Sequence, residues 1–416
     1  MSNLSGFILI DKPAGPTSHD VIDQLRKITG IQQIGHAGTL DPFASGLLLI
    51  GIGEATKLLR HYVGLDKKYE AILRLGATSD TYDRTGNITE TPITRPKADQ
   101  PLAGKIQKTL QSFIGKQKQV PPMYSAKKVG GKKLYELARA GQDIKREAVD
   151  IEVYDIKLVS RTSELVTLNF HVSSGAYIRT LAHDIGQVLG CGAYLEELKR
   201  TAIGDFKLED AVSVIARSPV FGTTWQSYQR TEARLRSNVP QRDVRIASSA
   251  STPSRNDMLA HDNWQKHFIP LKTVLVSGTF DGLHEGHRSY FQQARTYGQR
   301  LICIVARDSI AEKIKGKKPR HTEKERVAFI KQCPDIDRVY LGVEGPDEKI
   351  YGFTASLAPD VIALGYDQKA YTKNLAAEMK KRGLKTSVVR LKPHRAEKFK
   401  SSILNKTRVD KTSQNR

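Results

Sequence analysis

The chain has 416 residues, beyond the roughly 100–200 of one ordinary domain, so two or three domains with separate cores are expected. Its 39% apolar and 26% charged residues exclude a wholly disordered, collagen-like or disulfide-scaffold protein. Lys and Arg outnumber Asp and Glu by 66 to 44, a formal charge of +22, which favours a polyanionic partner, either nucleic acid or an anionic membrane surface.

Gly6–Ile10 reads as a short strand. Its apolar patch, Phe7-Ile8-Leu9-Ile10, is too short for a signal-peptide core and follows no basic segment. No run elsewhere approaches the roughly 20 apolar residues of a bilayer span, so no membrane partner is expected. Ser18–Ile28 has the 3.6-residue period of a helix, with Ser18 as its N-cap. Tyr69–Leu75 alternates like a half-buried strand, and Ile106–Phe113 and Leu134–Ala140 read as helices. Leu165–Val172 alternates again, and Tyr177–Leu189 reads as a helix. Without a regular βαβ beat, residues 1–217 are expected to form an α+β domain on a mixed or antiparallel sheet.

Residues 218–268 change character. Seven serines fall between Ser218 and Ser254, and Arg245–Asp257 reads RIASSASTPSRND. The segment reads as a flexible linker, or as an irregular extension packed on the first domain. Residues 269–404 then alternate strand and helix. The strands are Thr273–Val276, Arg300–Ala306, Arg338–Leu341, Val361–Leu364 and Ser387–Leu391. The helices are Gly286–Tyr297, Glu323–Gln332 and Leu375–Arg382. This rhythm predicts an α/β domain with a doubly wound parallel sheet, followed by a polar tail at 405–416. Three cysteines without paired spacing, Cys191, Cys303 and Cys333, predict a reduced, cytoplasmic protein. Nothing in the sequence sets an oligomeric state.

Two segments carry chemistry. The first, Gly35-His36-Ala37-Gly38-Thr39-Leu40-Asp41-Pro42, places an aspartate before a proline, which biases Asp41 to an extended backbone. Such a loop can hold a carboxylate in one orientation for nucleophilic or base chemistry, or Asp41 is a turn aspartate. Five blocks follow one another: GFILIDKPAGPTSHDV (6–21), GHAGTLDPFASGLLLIGIGEATK (35–57), DKKYEAILRLGATSDTYDRTG (66–86), PPMYSAKKVGGKKLYELARAG (121–141) and SSGAYIRTLAHDIG (173–186). Together they resemble the bacterial tRNA pseudouridine synthase B family over nearly all of residues 5–215.

That resemblance implies isomerisation of the T-loop uridine of tRNA (position 55) to pseudouridine, without metal or organic cofactor. By motif, Asp41 is the catalytic nucleophile and Arg179 its charge partner, expected to favour the ionised carboxylate by roughly 1–3 pKa units. Tyr69 matches the tyrosine that stacks on the displaced base, and His36 the histidine that helps hold the flipped-out nucleotide. Lys12, Lys67, Lys68, Lys127, Lys128, Lys132 and Lys133 are candidates for phosphate contacts or solvated surface charges. Ala37 and Ser79 stand where many relatives have threonine. The family's small RNA-binding domain after the core is not recognisable. An RNA-binding protein with a dead synthase site is the alternative, against which Asp41, Tyr69 and Arg179 stand together.

The second segment, Ser277-Gly278-Thr279-Phe280-Asp281-Gly282-Leu283-His284-Glu285-Gly286-His287, runs from a strand into a helix. Helix N-termini attract phosphate, and doubly wound sheets bind ligands at such crevices. Zinc is the competing reading, but the histidines lack the i, i+4 spacing of HExxH helices and a third ligand. The pattern resembles the cytidylyltransferase-like nucleotidyltransferases, continuing through 305–330, 337–342, 359–368 and the KSSIL segment at 400–404. It is similar to archaeal FAD synthases and glycerol-3-phosphate cytidylyltransferases. The resemblance implies nucleotide binding by Thr279, Phe280, His284, His287 and Asp367, with Mg²⁺ and ATP or CTP. A basic loop of Lys313, Lys315, Lys317, Lys318 and Arg320 could cover a triphosphate or stand free in solvent. Working transfer, with FMN adenylylation as one acceptor chemistry, stands beside a non-catalytic nucleotide- or tRNA-binding module.

Overall fold

The computed structural model describes residues 4–91, 102–125, 128–129, 132–133, 144, 146–213, 267–370, 372 and 374–394. The expected helix at Leu134–Ala140, the serine-rich segment through 266, KSSIL and the tail lie outside them. The chain divides into two compact units, Met1–Ile269 and Pro270–Arg416.

In the first unit, Gly6–Lys12 (β1), Ser18–Thr29 (α1), Ile34–His36 (β2), Ser45–Ile52 (β3) and Lys67–Leu75 (β4) come first. Leu102–Ser112 (α2), Gly115–Gln119 (β5), Val149–Arg161 (β6) and Leu165–Val172 (β7) follow. Ile178–Leu189 (α3), Ala193–Ile203 (β8) and Val212–Ser213 (β9) complete it. The main path of the sheet is β9-β1-β3-β8-β4-β7-β6-β5. It is mixed: β3–β8 and β1–β9 pair parallel, and the other pairs on the path are antiparallel.

Helix α1 buries Val21, Ile22 and Leu25 against Ile8, Ile10, Leu48 and Ile50, the periodic apolar stripe that drives an amphipathic helix onto a sheet. Its cap is not Ser18. Thr17 accepts from Asp20 N while the Asp20 carboxylate accepts from Thr17 N, a capping box. Ser18 is thereby freed to reach the Asp41 loop. Phe268, the last residue of the expected linker, packs against the same cluster as Ile8 and Ile10. A larger core of Ala71, Leu73, Leu168 and Phe170 packs with Ile178, Leu181 and Ile185 of α3, and with Leu40, Phe43 and Ala44.

The second unit contains Thr273–Gly278 (β10), Glu285–Arg295 (α4), Arg300–Val305 (β11), Asp308–Lys315 (α5) and Glu323–Lys331 (α6). Arg338–Leu341 (β12), Asp347–Ser356 (α7), Val361–Leu364 (β13), Leu375–Lys381 (α8) and Ser387–Arg390 (β14) follow. The five strands are all parallel, in the order β12-β11-β10-β13-β14. The chain winds outward from β10 and then crosses to its other side, creating a switch-point crevice at the strands' carboxyl ends. Val274 and Val276 face one core, and Leu275 and Ile362 the other, as expected of strands covered on both faces. Helices α5 and α7 were not expected. Lys313 and Lys315 therefore sit on α5, not in a loop. No helix among the described residues is long and apolar enough to cross a membrane.

Candidate active sites

Asp41 sits in the loop between β2 and β3, its side chain 34% exposed. Its Oδ2 lies 2.9 Å from Nε of Arg179, which enters from the first turn of α3. Arg179 is only 4% exposed and every guanidinium nitrogen is engaged. Nη1 donates to Asp83 Oδ2 and to the Thr81 carbonyl, both at 3.2 Å, and Nη2 to the Tyr124 carbonyl at 2.8 Å. The buried Asp83 carboxylate also accepts from Thr81 Oγ1 and Thr85 N, each at 2.9 Å. A desolvated ion pair is tolerated when its remaining polar atoms are satisfied in this way.

Desolvation raises the pKa of Asp41, with Arg179 opposing, Asp83 adding to the rise and Lys12 opposing. Arg179 favours the charged carboxylate, as expected, but does not decide the net direction. Taking the carboxylate out of water is the larger effect.

The loop around Asp41 is fastened at each carbonyl from Gly38 to Pro42. The buried Arg200 donates from Nη2 to Gly38 O at 3.1 Å, from Nη1 to Thr39 O at 3.3 Å and from Nε to Leu47 O at 2.8 Å. Ser18 Oγ accepts from Leu40 N and donates to Leu40 O. Gly15 N donates to Pro42 O at 2.7 Å, and Ala44 N to Asp41 O at 3.1 Å. Fully buried Lys12 donates to the carbonyls of Pro13, Pro16 and Pro42. Its ammonium is pushed down to about 7 by burial.

Lys12 is therefore neither a phosphate contact nor a solvated surface charge but an internal tie. Lys67 is corrected likewise: it is 6% exposed and donates to Val63 O and Leu65 O. Burial pulls it down to about 8. Lys68 is exposed, while Lys127 and the side chains of Lys128, Lys132 and Lys133 lie outside the description.

Tyr69 is half-buried on β4, opposite Phe170 and Arg200. It packs against the cluster that contains Leu40, Phe43 and Ala44, on both sides of Asp41 in sequence. His36 ends β2, paired across from Ile50. Its Nδ1 is buried without a hydrogen-bond partner among the described residues, and burial, then Arg200 and His19, lower its pKa. Sequence reasoning gave no role to Asp83 or Arg200, and took Ser18 only for a helix cap. Asp83 lay inside a quoted block, but nothing local to the sequence announced its contact with Arg179, 96 residues away.

In the second unit, His284 is the N-cap of α4 and His287 lies in its first turn. Their rings stack with centroids 3.7 Å apart, and Phe280 meets His287 edge-on at 5.2 Å. His287 Nδ1 is buried without a hydrogen-bond partner among the described residues. Burial first, then His284 and Lys315, push His287 down to about 3, so the ring is neutral near pH 7. A cavity of about 580 Å³ is lined by Thr279, Phe280, His284, His287, Lys315 and Asp367, among others. It brings together the expected nucleotide-contacting residues and lies within the range of small-molecule sites.

Buried Arg326 binds the carbonyls of Thr279, Ala306 and His321, together with Asp308. Asp281 accepts from the backbone of Arg320 and His321. These two ties hold the turn after β10 against the basic segment after α5, and neither was foreseen. Among the described residues no three His, Cys, Asp or Glu form a metal-holding group. The orphaned His287 nitrogen, Lys315 and the helix N-terminus suit nucleotide phosphates, and a divalent ion would arrive on them.

Comparison with known proteins adds the following. The TruB family pseudouridylate synthase (N-terminal domain) model matches residues 26–178, and the tRNA pseudouridylate synthase B C-terminal domain model matches 179–216. The described part of the second match is the Arg179 helix and strands of the first sheet, not an added unit. The cytidylyltransferase-like model matches 275–408. The tRNA pseudouridine synthase B of Solibacter usitatus is 43% identical over 50% of this chain and 70% of its own length. That of Geobacter sulfurreducens is 44% identical over 51% and 68%. A solved lipopolysaccharide core biosynthesis protein from Thermoplasma volcanium is 35% identical, covering 30% of this chain and 98% of its own, with a TM-score of 0.28.

Proposed function

We propose that this chain, which belongs to the tRNA pseudouridine synthase B family, isomerises the T-loop uridine at position 55 of tRNA, with Asp41 as nucleophile. The observation that carries this reading is the 2.9 Å contact between a partly open Asp41 and an almost fully buried Arg179. The carboxylate attacks C1′ as the N1–C1′ bond breaks and uracil leaves with the electron pair. The base rotates and C5 bonds to C1′, displacing Asp41. The C5 proton departs and N1 gains one, so product and substrate are isomers and no cofactor is consumed. Tyr69 stacks on the displaced base and takes part in moving the C5 proton, and His36 helps hold the flipped nucleotide. Arg179 keeps Asp41 charged once the base has excluded water. The setting is the cytoplasm, where tRNA is available and the three free cysteines stay reduced.

The test uses the full chain and tRNA carrying [5-³H]uridine. Wild type releases tritium, and Asp41→Asn, nearly isosteric, lowers release by roughly 10⁴-fold or more. Release by Asp41→Asn at the wild-type rate would refute the assignment.

The second unit is nucleotidyltransferase-like, and we propose that it binds ATP or CTP with Mg²⁺ and transfers the nucleotidyl group, with FMN as the leading acceptor. The observation favouring this is the neutral, stacked His284–His287 pair at the mouth of α4. Neutral imidazoles donate hydrogen bonds to phosphate as charge develops on the leaving pyrophosphate, and the Mg²⁺ carried by the nucleotide would neutralise that charge further. Thr279, Phe280 and Asp367 complete the nucleotide contacts. Pyrophosphate release from MgATP or MgCTP with FMN or glycerol phosphate, abolished in His287→Asn, is the expected result. No release with any pair, alongside weaker tRNA binding by His287→Asn, would replace catalysis with a tRNA-gripping module.

A further inference from the structure

The reaction as derived leaves one feature beside the Asp41 site unused. The rings of Tyr82 and His183 lie 4.1 Å apart at 20°, stacked. Tyr82 immediately precedes Asp83, and His183 stands one helical turn beyond Arg179 on α3. Each ring is thus carried by the same short piece of backbone as one member of the buried Arg179–Asp83 pair.

Tyr82 also has φ 64°, a left-handed backbone that a bulky side chain adopts only when its surroundings impose it. Hydrogen bonds on both sides impose it here. Tyr82 N donates to Ser79 O at 3.1 Å, Leu195 N to Tyr82 O at 2.9 Å and Arg84 N to Leu195 O at 3.1 Å. The result is a turn whose successive side chains take separate partners: Tyr82 meets His183, and Asp83 meets Arg179. Desolvation lowers the pKa of His183, with Asp184 opposing, so its ring stacks in the neutral form.

We propose that the Tyr82–His183 stack is a positioning couple for the isomerisation: it fastens the Asp83 turn to the Arg179 helix and so fixes the guanidinium face presented to Asp41. Among the described residues, two bonds from Arg179, to Asp83 and to Thr81 O, also join turn to helix at this point. Both end on the same Nη1, so they share one pivot. The ring stack supplies a second attachment, one helical turn away, and two attachments resist rotation where one does not.

The test uses the full chain, with single-turnover tritium release followed from pH 5 to 8, tRNA affinity and thermal melting. Tyr82→Gly relaxes the backbone strain but removes the ring; Tyr82→Phe keeps both ring and strain. Tyr82→Gly is expected to slow release roughly ten- to a hundredfold while tRNA affinity stays within about threefold, the signature of a misplaced catalytic group. Its acid limb also moves to higher pH. Asp41 is faced by Arg179, Asp83 and Lys12, and a loosened Arg179 opposes desolvation less. Tyr82→Phe restores both rate and limb.

A rate loss uniform across pH, or a fall in melting temperature alone, would overturn the proposal, because a purely structural ring gives that result. Equal impairment in Tyr82→Phe would overturn it too, assigning the effect to the hydroxyl. Should Tyr82→Gly fail to fold, His183→Ala makes the same measurement from the helix side, where no backbone strain is involved.

Discussion

Asp41 is drawn two ways: burial and Asp83 favour its protonated form, and Arg179 and Lys12 favour the charged one. The net rise has a consequence for pH that differs from that of an ordinary salt-bridged carboxylate. A carboxyl whose folded pKa is raised binds its proton more readily folded than unfolded, so acidification through that range does not destabilise the fold through this group. The proposed nucleophile is nevertheless lost. Tritium release is therefore expected to fall on acidification at a pH above the ~3.9 of a free aspartate. The loss reverses fully on return to neutral pH, and near-neutral and mildly acidic samples show the same folded circular dichroism. Irreversible loss, or loss that tracks unfolding, would show that other groups set the limb. Asp41 and Arg179 were marked as candidates by the resemblance of the blocks in which they sit. The direction of the shift was not legible, because desolvation depends on what packs around the loop.

At the scale of elements, the contact of β3 with β8 supports the Asp41 loop. Gly46 has φ 101°, and a Cβ there would lie 2.3 Å from Arg200 O and 2.7 Å from Arg200 N. Only glycine permits β3 to run this close to the strand that carries Arg200, whose side chain holds the carbonyls of Gly38 and Thr39. Gly46→Ala is expected to destabilise the first unit by more than about 3 kcal/mol, from strain and overpacking together, and to cost synthase activity. Urea unfolding checks the first effect and tritium release the second; a loss below about 1 kcal/mol would mean the strands separate easily.

Strands with an apolar face or a continuous apolar run were legible to within a residue or two, as in Leu165–Val172 and Val361–Leu364. Asp347–Ser356 was missed because its apolar residues are spread around the helix and only Tyr351 and Thr354 are buried. Asp308–Lys315 was missed because its lysines read as part of a solvated loop, while Ala311 is its single buried residue. The Thr17 cap was displaced by one position because both Thr17 and Ser18 are good caps, and only the second has a tertiary partner, in Leu40.

Over the whole molecule, length foretold more than one domain, and the change from mixed order to strand–helix alternation foretold their types. The expected doubly wound sheet appears with the histidine motif at its switch point, where crossing connections leave a crevice. The positive charge, in contrast, did not say which lysines face a partner. Lys12 and Lys67 end in carbonyl cages inside the first unit, so part of the basic excess holds the fold together and leaves less of it for RNA.

The sequence by itself determined the two fold types and most of the elements, because periodicity is a property of neighbours along the chain, and the resemblance of its motifs marked Asp41, Arg179, His284 and His287 as candidates. The tertiary structure alone decided that Asp83 grips Arg179, that Arg200 and Ser18 fasten the Asp41 loop, and that Tyr82 stacks on His183. Those pairings span from 22 residues, between Ser18 and Leu40, to 162, between Gly38 and Arg200. Strand order that departs from chain order brings such distant residues together, and water's exclusion from the resulting contacts sets their charges.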